Sequence, residues 1–430
     1  MTERDAFEAR FHAAIRGYVG SVSSELDPAS LAHRIAEGEP RRHGFPAVVG
    51  WRGIAIPRAA WALLLLAGLL AAMVGGVLVI GSQGEPKLPA VVFACPPGST
   101  PDEPGPADQA RPWILDPVTY DSAAGKIVML ASQEAFVGEN RAGTWTFDVC
   151  TNTWTLMQSG SGPDKGLALV YDPGADLIIG VDYPEDPVTS PPHAWAYSLA
   201  DNTWTRKGPA PDHVVRLWYD VASARVAAWA AHDDHDPGTI WAYDVAADTW
   251  AMIGALEVLG GFPWGNPGDD LLAYDASLDR VVATVVGGSE TRLFDMRTGS
   301  VADARAAAPW AGRCGWMSAR ICYDGEAGAA IAYDERAQRV VVLIGGHAFA
   351  YNAAADRWDT LFEPAGTGSG ELARVGHSMV YDPVNRRLVV LAGDFAGDGD
   401  PVDAVLAFDT TTREWTVLLE PSKVQPSPSP

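Results

Sequence analysis

A seven-residue interval recurs six times in this chain and constrains its fold more than any other feature. Phe147 precedes Trp154, Tyr197 precedes Trp204, and Tyr243 precedes Trp250 at this spacing. Phe294 and Val301, Tyr351 and Trp358, and Phe408 and Trp415 keep it. A polar turn such as DTTTRE separates the members of each pair. Upstream of each lies a Tyr-Asp dipeptide: Tyr120-Asp121, Tyr171-Asp172, Tyr219-Asp220, Tyr274-Asp275, Tyr333-Asp334 and Tyr381-Asp382. Self-similarity at this period marks a propeller or array of repeats.

The repeats run roughly over 113–158, 164–207, 213–253, 269–303, 328–362 and 374–420. The last is the clearest. HSMVYD reads as its first strand, RRLVVLAG as its second, AVLAFD as its third and EWTVLL as its fourth. A basic residue stands five after the Asp in five repeats: Lys126, Arg225, Arg280, Arg339 and Arg387; Leu177 replaces it in the second. One four-stranded sheet cannot bury its own faces, but six stacked around an axis can. The spacing places each aromatic on a third strand against one on the fourth, as cross-strand packing partners. The Asp of each Tyr-Asp is expected to bond backbone amides in the turn after it.

Charge and the apolar segment set the expected location. The 430 residues carry a net charge of -23. Residues 1–58 hold 8 Arg against 7 Asp and Glu, so the rest of the chain carries all of the negative excess. That balance argues against nucleic acid and against anionic membrane surfaces as partners. Between Arg58 and Glu85 there is no charge, and AAWALLLLAGLLAAMVGGVLVIG is long enough to span a bilayer as a helix. Arg41, Arg42, Arg52 and Arg58 flank its N-terminal side, which places residues 1–57 in the cytoplasm and the repeats outside. The expected order is a cytoplasmic helical segment (1–57), a transmembrane helix (58–81), a Pro/Gly-rich stalk (82–112), the propeller (113–420) and a disordered tail (421–430). The protein is thus expected to be a single-pass cell-membrane protein.

All four cysteines follow the apolar segment: Cys95, Cys150, Cys314 and Cys322. An even count in an oxidising compartment predicts disulfides, with three connectivities open. Cys314 and Cys322 share one loop between repeats. Pairing them leaves Cys95 for Cys150, a staple from the entering chain to the first blade.

The Tyr-Asp dipeptides, the aromatic-to-Trp spacing and the Gly doublets Gly287-Gly288 and Gly345-Gly346 resemble the kelch repeat of galactose oxidase-like propellers. Gly393-Asp394 keeps half of the doublet, and the fourth repeat has Val301 where the others have Trp. The resemblance covers about 300 residues. It implies an all-β, six-bladed propeller, and the repeated residues mark blade packing rather than a site. Copper oxidases of this class use a Cys-linked Tyr and two His at the axis; this sequence assembles no such set.

Loops between second and third strands and between blades should emerge on one end. That end collects Glu134, Glu139, Asp182, Glu185, Asp186, His232 to Asp236, Glu290 and His347. Asp394, Asp398, Asp400 and Asp403 offer the flexible oxygen ligands that Ca²⁺ takes, although EF-hand spacing is absent; a solvated acidic loop is the alternative. No other cofactor is implied. Trp264, Trp310 and Trp316 lie in loops between blades beside Arg313 and Arg320. Loop aromatics near acidic groups suit sugar stacking or a protein contact; packing under their own loop is the other reading.

No GxSxG, HExxH or P-loop occurs, so the sequence favours binding over catalysis. The expected function is a binding module for a glycan or protein outside the cell. Two alternatives stand beside it: a carbohydrate-active enzyme using the acidic groups, and a sensor acting through residues 1–57.

Overall fold

The computed structural model describes residues 93–106, 109, 111–112, 118–131, 143–158, 162–163, 168–182, 191–231, 238–256, 270–286, 288–311, 329–364, 374–375, 377–391, 394–395 and 403–421. The stretches expected to form a cytoplasmic segment (1–57) and a transmembrane helix (58–81), and all of the tail after Pro421, lie outside these residues. Among the described residues no helix is long and apolar enough to cross a membrane.

Six antiparallel four-stranded sheets follow one another along the chain. Blade 1 is β1 (Val118–Asp121), β2 (Lys126–Ala131), β3 (Gly143–Asp148) and β4 (Thr153–Gln158). Blade 2 is β5 (Ala168–Asp172), β6 (Leu177–Val181), β7 (His193–Ser198) and β8 (Thr203–Pro209). Blade 3 is β9 (Val214–Asp220), β10 (Arg225–Ala230), β11 (Thr239–Asp244) and β12 (Thr249–Ala255). Blade 4 is β13 (Asp270–Asp275), β14 (Arg280–Val285), β15 (Thr291–Asp295) and β16 (Val301–Asp303). Blade 5 is β17 (Ala329–Asp334), β18 (Arg339–Ile344), β19 (His347–Asn352) and β20 (Arg357–Phe362). A short ladder of β21 (Arg374–Val375) with β24 (Asp394–Phe395) accompanies blade 6, which is β22 (Ser378–Asp382), β23 (Arg387–Leu391), β25 (Val405–Asp409) and β26 (Glu414–Leu419).

The first strands β1, β5, β9, β13, β17 and β22 touch in ring order, and β22 also meets β1. The described residues therefore form a closed six-bladed β-propeller with the first strands innermost. Each core cluster lies between two consecutive blades. Ile127 and Phe147 of blade 1 pack with Val389 and Leu418 of blade 6, and the other five junctions are filled in the same way. No blade buries its faces alone, as the repeat pattern requires.

The recurring aromatic interval is a direct cross-strand pair in all six blades. Phe147 faces Trp154, Tyr197 faces Trp204, Tyr243 faces Trp250, Phe294 faces Val301, Tyr351 faces Trp358 and Phe408 faces Trp415. Ring centroids in the five aromatic pairs are 4.5 to 5.2 Å apart. Such contacts add about 0.5–1.5 kcal/mol each beyond area burial. Two of the tryptophans also reach the preceding blade: Trp204 Nε1 donates to Thr144 Oγ1 at 2.7 Å and Trp358 Nε1 to Thr291 Oγ1 at 3.0 Å. Where Val301 replaces Trp the strand is only three residues long and the side chain is exposed.

One end of the propeller is uniform. Eleven of the twelve turns joining first to second and third to fourth strands span four residues, and the twelfth, 296–300, has five. Each turn carries one left-handed residue: Gly125, Asn152, Asp176, Asn202, Ala224, Asp248, Asp279, Gly299, Gln338, Asp356, Arg386 or Arg413. Gly, Asn and Asp dominate these places because they tolerate positive φ best. A tyrosine five residues earlier secures several of them. Tyr171 donates to Asp176 at 2.8 Å, Tyr197 to Asn202 at 2.7 Å and Tyr351 to Asp356 at 2.8 Å. The Asp of each Tyr-Asp accepts from turn amides as expected. Examples are Asp121 from Ala123 and Ala124, Asp172 from Gly174, and Asp382 from Val384 and Asn385.

The N-terminal residues 93–106 differ from the expected stalk. They run along the junction of blades 6 and 1 as a clasp. Cys95 and Cys150 form the expected disulfide. Asn152 Nδ2 donates to the carbonyls of Pro101 and Glu103 at 2.9 and 2.8 Å. Gly105 N donates to Leu418 O at 2.8 Å. The guanidinium of Arg387, 5 % exposed, bonds Asp382, Asp102 and the Pro101 carbonyl. Asp382 is fully buried. The ring is thus closed by a strap with a buried ion pair beneath it, not by exchange of a strand between the first and last blades.

Candidate functional site

The two ends of the propeller differ sharply. Against the uniform turns, the connections between second and third strands span 132–142, 182–192, 231–238, 286–290, 345–346 and 392–404. Those between blades range from 210–213 to 304–328. The β21–β24 ladder pairs Arg374 with Phe395 and Val375 with Asp394. It joins a connection between blades to one between second and third strands, so both kinds emerge together, as expected. Only in blade 5 is the connection a two-residue turn, Gly345-Gly346, with positive φ at both residues.

Several expected site residues fall outside the described residues: Trp264, Trp316, Arg313, Arg320, Asp398, Asp400, Cys314 and Cys322, together with Glu134, Glu139, Glu185, Asp186 and His232 to Asp236. Trp310 is described, and it corrects the surface reading. Its side chain is fully buried, its Nε1 donates to Val285 O at 2.9 Å, and its ring packs on Phe349 and Trp358. It is a packing residue between blades 4 and 5: the chain before it continues from β16 alongside β15, with Ala304 N donating to Thr291 O and Ala308 N to Ser289 O, both at 2.9 Å. Asp403 engages the buried Arg111 at 3.5 Å, and Asp394 lies on β24. Asp182 accepts from Trp195 Nε1 at 2.8 Å, Glu290 lies 3.4 Å from Arg292, and His347 Nδ1 is 2.9 Å from Gly345 O. Among the described residues no group of three or more His, Cys, Asp or Glu is placed to hold a metal.

A second feature lies on the axis. A cavity of about 330 Å³ is lined by residues of all six innermost strands and by the first residue of the turn after each. Its wall includes Tyr120, Tyr171, Tyr219, Tyr274, Tyr333 and Tyr381, the tyrosines of the six Tyr-Asp dipeptides. The residue after each Asp also lines it: Ser122, Pro173, Val221, Ala276, Glu335 and Pro383. Among the described residues Glu335 is the only charged group in that wall. The six aspartates stand just behind, each 5 % exposed or less. Tyr274 donates to Asp220 of the preceding blade at 3.0 Å.

Burial dominates the titration of this region. It pushes all six tyrosines up, Tyr333 to about 12, and the neighbouring carboxylates add to the effect. Burial also raises Asp121, Asp172, Asp275 and Asp382, partly offset by the amides and side chains that bond them. Glu335 is raised by close protein surroundings and then by Asp334. On the outer turns, amide and tyrosine hydroxyl donors hold Asp356 below its ordinary value. They also lower Asp248, where they outweigh burial. A raised carboxyl favours the folded state when protonated. Its contribution therefore grows as pH falls from neutral towards the unfolded value of about 4. The lowered carboxyls lose theirs only below that value. The melting temperature is expected to rise from pH 8 to pH 5 and to fall below pH 4. A calorimetric series checks this, and a decline between pH 8 and 5 would contradict it.

The sequence signal for this cavity lay in register: among the six residues that follow Tyr-Asp, only Glu335 is charged. It acquires meaning once the first strands are known to be innermost.

The geometry defines a six-bladed β-propeller with a uniform turn end, an irregular loop end and an axial cavity. No protein-family model matches the chain, and no curated protein matches it. Solved structures to which this chain is similar include an auxiliary nutrient binding protein from Bacteroides thetaiotaomicron, 9% identical, with a TM-score of 0.45 over 65% of this chain and 67% of that one. Another from Bacteroides ovatus is 10% identical, with a TM-score of 0.45 over 66% and 68%. TolB from Acinetobacter baumannii is 13% identical, with a TM-score of 0.45 over 70% and 65%.

Proposed function

We propose that this is a single-pass membrane protein that holds a kelch-type propeller outside the cytoplasm and binds a glycan or protein through its loop end. One observation carries the binding reading: twelve turns of nearly constant length at one end, against connections of very unequal length at the other. A rigid scaffold with variable loops on one side is how recognition surfaces are commonly built. The cross-strand pairs of the aromatic interval and the Gly345-Gly346 turn support the kelch-type reading. The Cys95–Cys150 bond suits an oxidising compartment. The arginines before the uncharged segment 59–84 support the orientation.

The topology is tested by fusing alkaline phosphatase, active only where disulfides form, after Pro421. High activity in intact cells is expected. An inactive fusion, with an equivalent fusion of a cytoplasmic reporter active, overturns the placement.

A further inference from the structure

We propose that the clasp, residues 93–106, is a redox-released strap: a dithiol that reduces Cys95–Cys150 frees it from a ring of blades that stays closed. The inference concerns a different place from the loop end and stands independently of the reading above. The clasp residues packed against the apolar cluster between blades 6 and 1 are Phe93 and Cys95, both partly buried. The buried members of that cluster, among them Ile127, Phe147, Val389 and Leu418, belong to the blades and their turns. The other ties of the clasp are polar. Asn152 Nδ2 donates to the Pro101 and Glu103 carbonyls, Gly105 N to Leu418 O, and Arg387 to Pro101 O and Asp102. The Asp102 side chain is 83 % exposed, so water screens its ion pair. A hydrogen bond returns about as much as ordering one residue costs, or less. These ties are fewer than the residues they order, so the covalent bond at Cys95 is what keeps the clasp in place.

What the clasp covers suits exposure. The amide of Asn152 and the guanidinium of Arg387 are buried beneath it, and water can serve both once it lifts. Cys150 is 1 % exposed and sits in the apolar cluster, where a free thiol packs as a small apolar side chain. Its amide keeps Asp148 as acceptor. The exchange balances with a dithiol donor. A donor thiolate attacks Cys95 Sγ, the sulfur of the less buried partner, and Cys150 leaves as a thiolate that takes up a proton. The donor's second thiolate then attacks the donor sulfur of the mixed disulfide and releases Cys95, which is protonated in turn. The protein gains two electrons and two protons; the donor loses both and becomes a disulfide.

The test is pulsed hydrogen exchange, read by mass spectrometry, on the full-length protein in a non-ionic maltoside detergent, oxidised and after dithiothreitol. Reduction should speed exchange of the Gly105 amide and its neighbours in the clasp by at least roughly tenfold, as for a locally opening segment. Strands β2 and β23 should stay unlabelled at the times that fill the clasp. Cys95→Ser combined with Cys150→Ser should match the reduced protein. Should that variant fail to fold, alkylation of the reduced wild type decides: iodoacetamide should modify Cys95 at least roughly tenfold faster than the buried Cys150. Unchanged clasp exchange after reduction, clasp and blade strands labelling together, or equal alkylation of the two thiols overturns the proposal.

Discussion

Replacing Arg387 with methionine is expected to destabilise the propeller by about 3–5 kcal/mol, the usual cost of leaving a buried charge without its partner. Arg387 is 5 % exposed and Asp382 is fully buried, with Arg387 Nε 3.3 Å from Asp382 Oδ2. The same guanidinium bonds the Pro101 and Val149 carbonyls, so its loss also removes a tie from blade 6 to the clasp and another to blade 1. Burial already pushes the Asp382 carboxyl up, and Arg387 is among the groups that hold it charged. Adding Asp382→Asn removes the orphaned charge and keeps an acceptor for the Val384 and Asn385 amides. The double variant should recover half or more of the loss. Urea unfolding of the four members of this cycle measures it. A cost under about 1 kcal/mol for the single variant, or no recovery in the double, would show that the pair is not the keystone of the junction.

Serine at both Cys95 and Cys150 has the second large expected effect. The bond joins residues 55 apart in sequence and ties the clasp to the turn after β3. A loop of that size restricts the unfolded chain by about 4 kcal/mol in the chain-entropy description. For a domain of this length that corresponds to a fall of roughly 5–10 °C in melting temperature. Reduction of the wild type should reproduce it. Calorimetry with and without reductant, on the wild type and on the double serine variant, checks both. A double serine variant that melts with the oxidised wild type would contradict the closure account.

The first of these effects sits where the sequence was least legible, whereas the Cys95–Cys150 staple followed from the number and placement of the cysteines. The aromatic pairs were readable because cross-strand neighbours separated by a short turn keep a constant sequence interval. The Tyr-Asp dipeptides were readable because an Asx side chain caps the turn beside it. Both are local. The clasp is not. Residues 93–106 are rich in Pro and Gly and show no strand period, so they read as a stalk. Their partners Asn152, Arg387 and Leu418 lie far along the chain. Trp310 misled for the same reason: the lack of periodicity around it says "loop", and only the packing of Phe349 and Trp358 shows that this loop dips into the core. The axial cavity became visible only when ring order placed six distant first strands side by side.

The central claim is that the irregular loop end recognises a ligand while the uniform turn end only supports it. The most direct measurement compares wild-type protein with a Trp264→Ala, Trp316→Ala variant on arrays of glycans and of envelope proteins. At least one saturable ligand is predicted for the wild type. Its affinity should fall by roughly tenfold or more in the variant, as for aromatic anchors of an interface, with the melting temperature held within about 2 °C. No ligand on either array, or equal capture by the variant, would contradict the account.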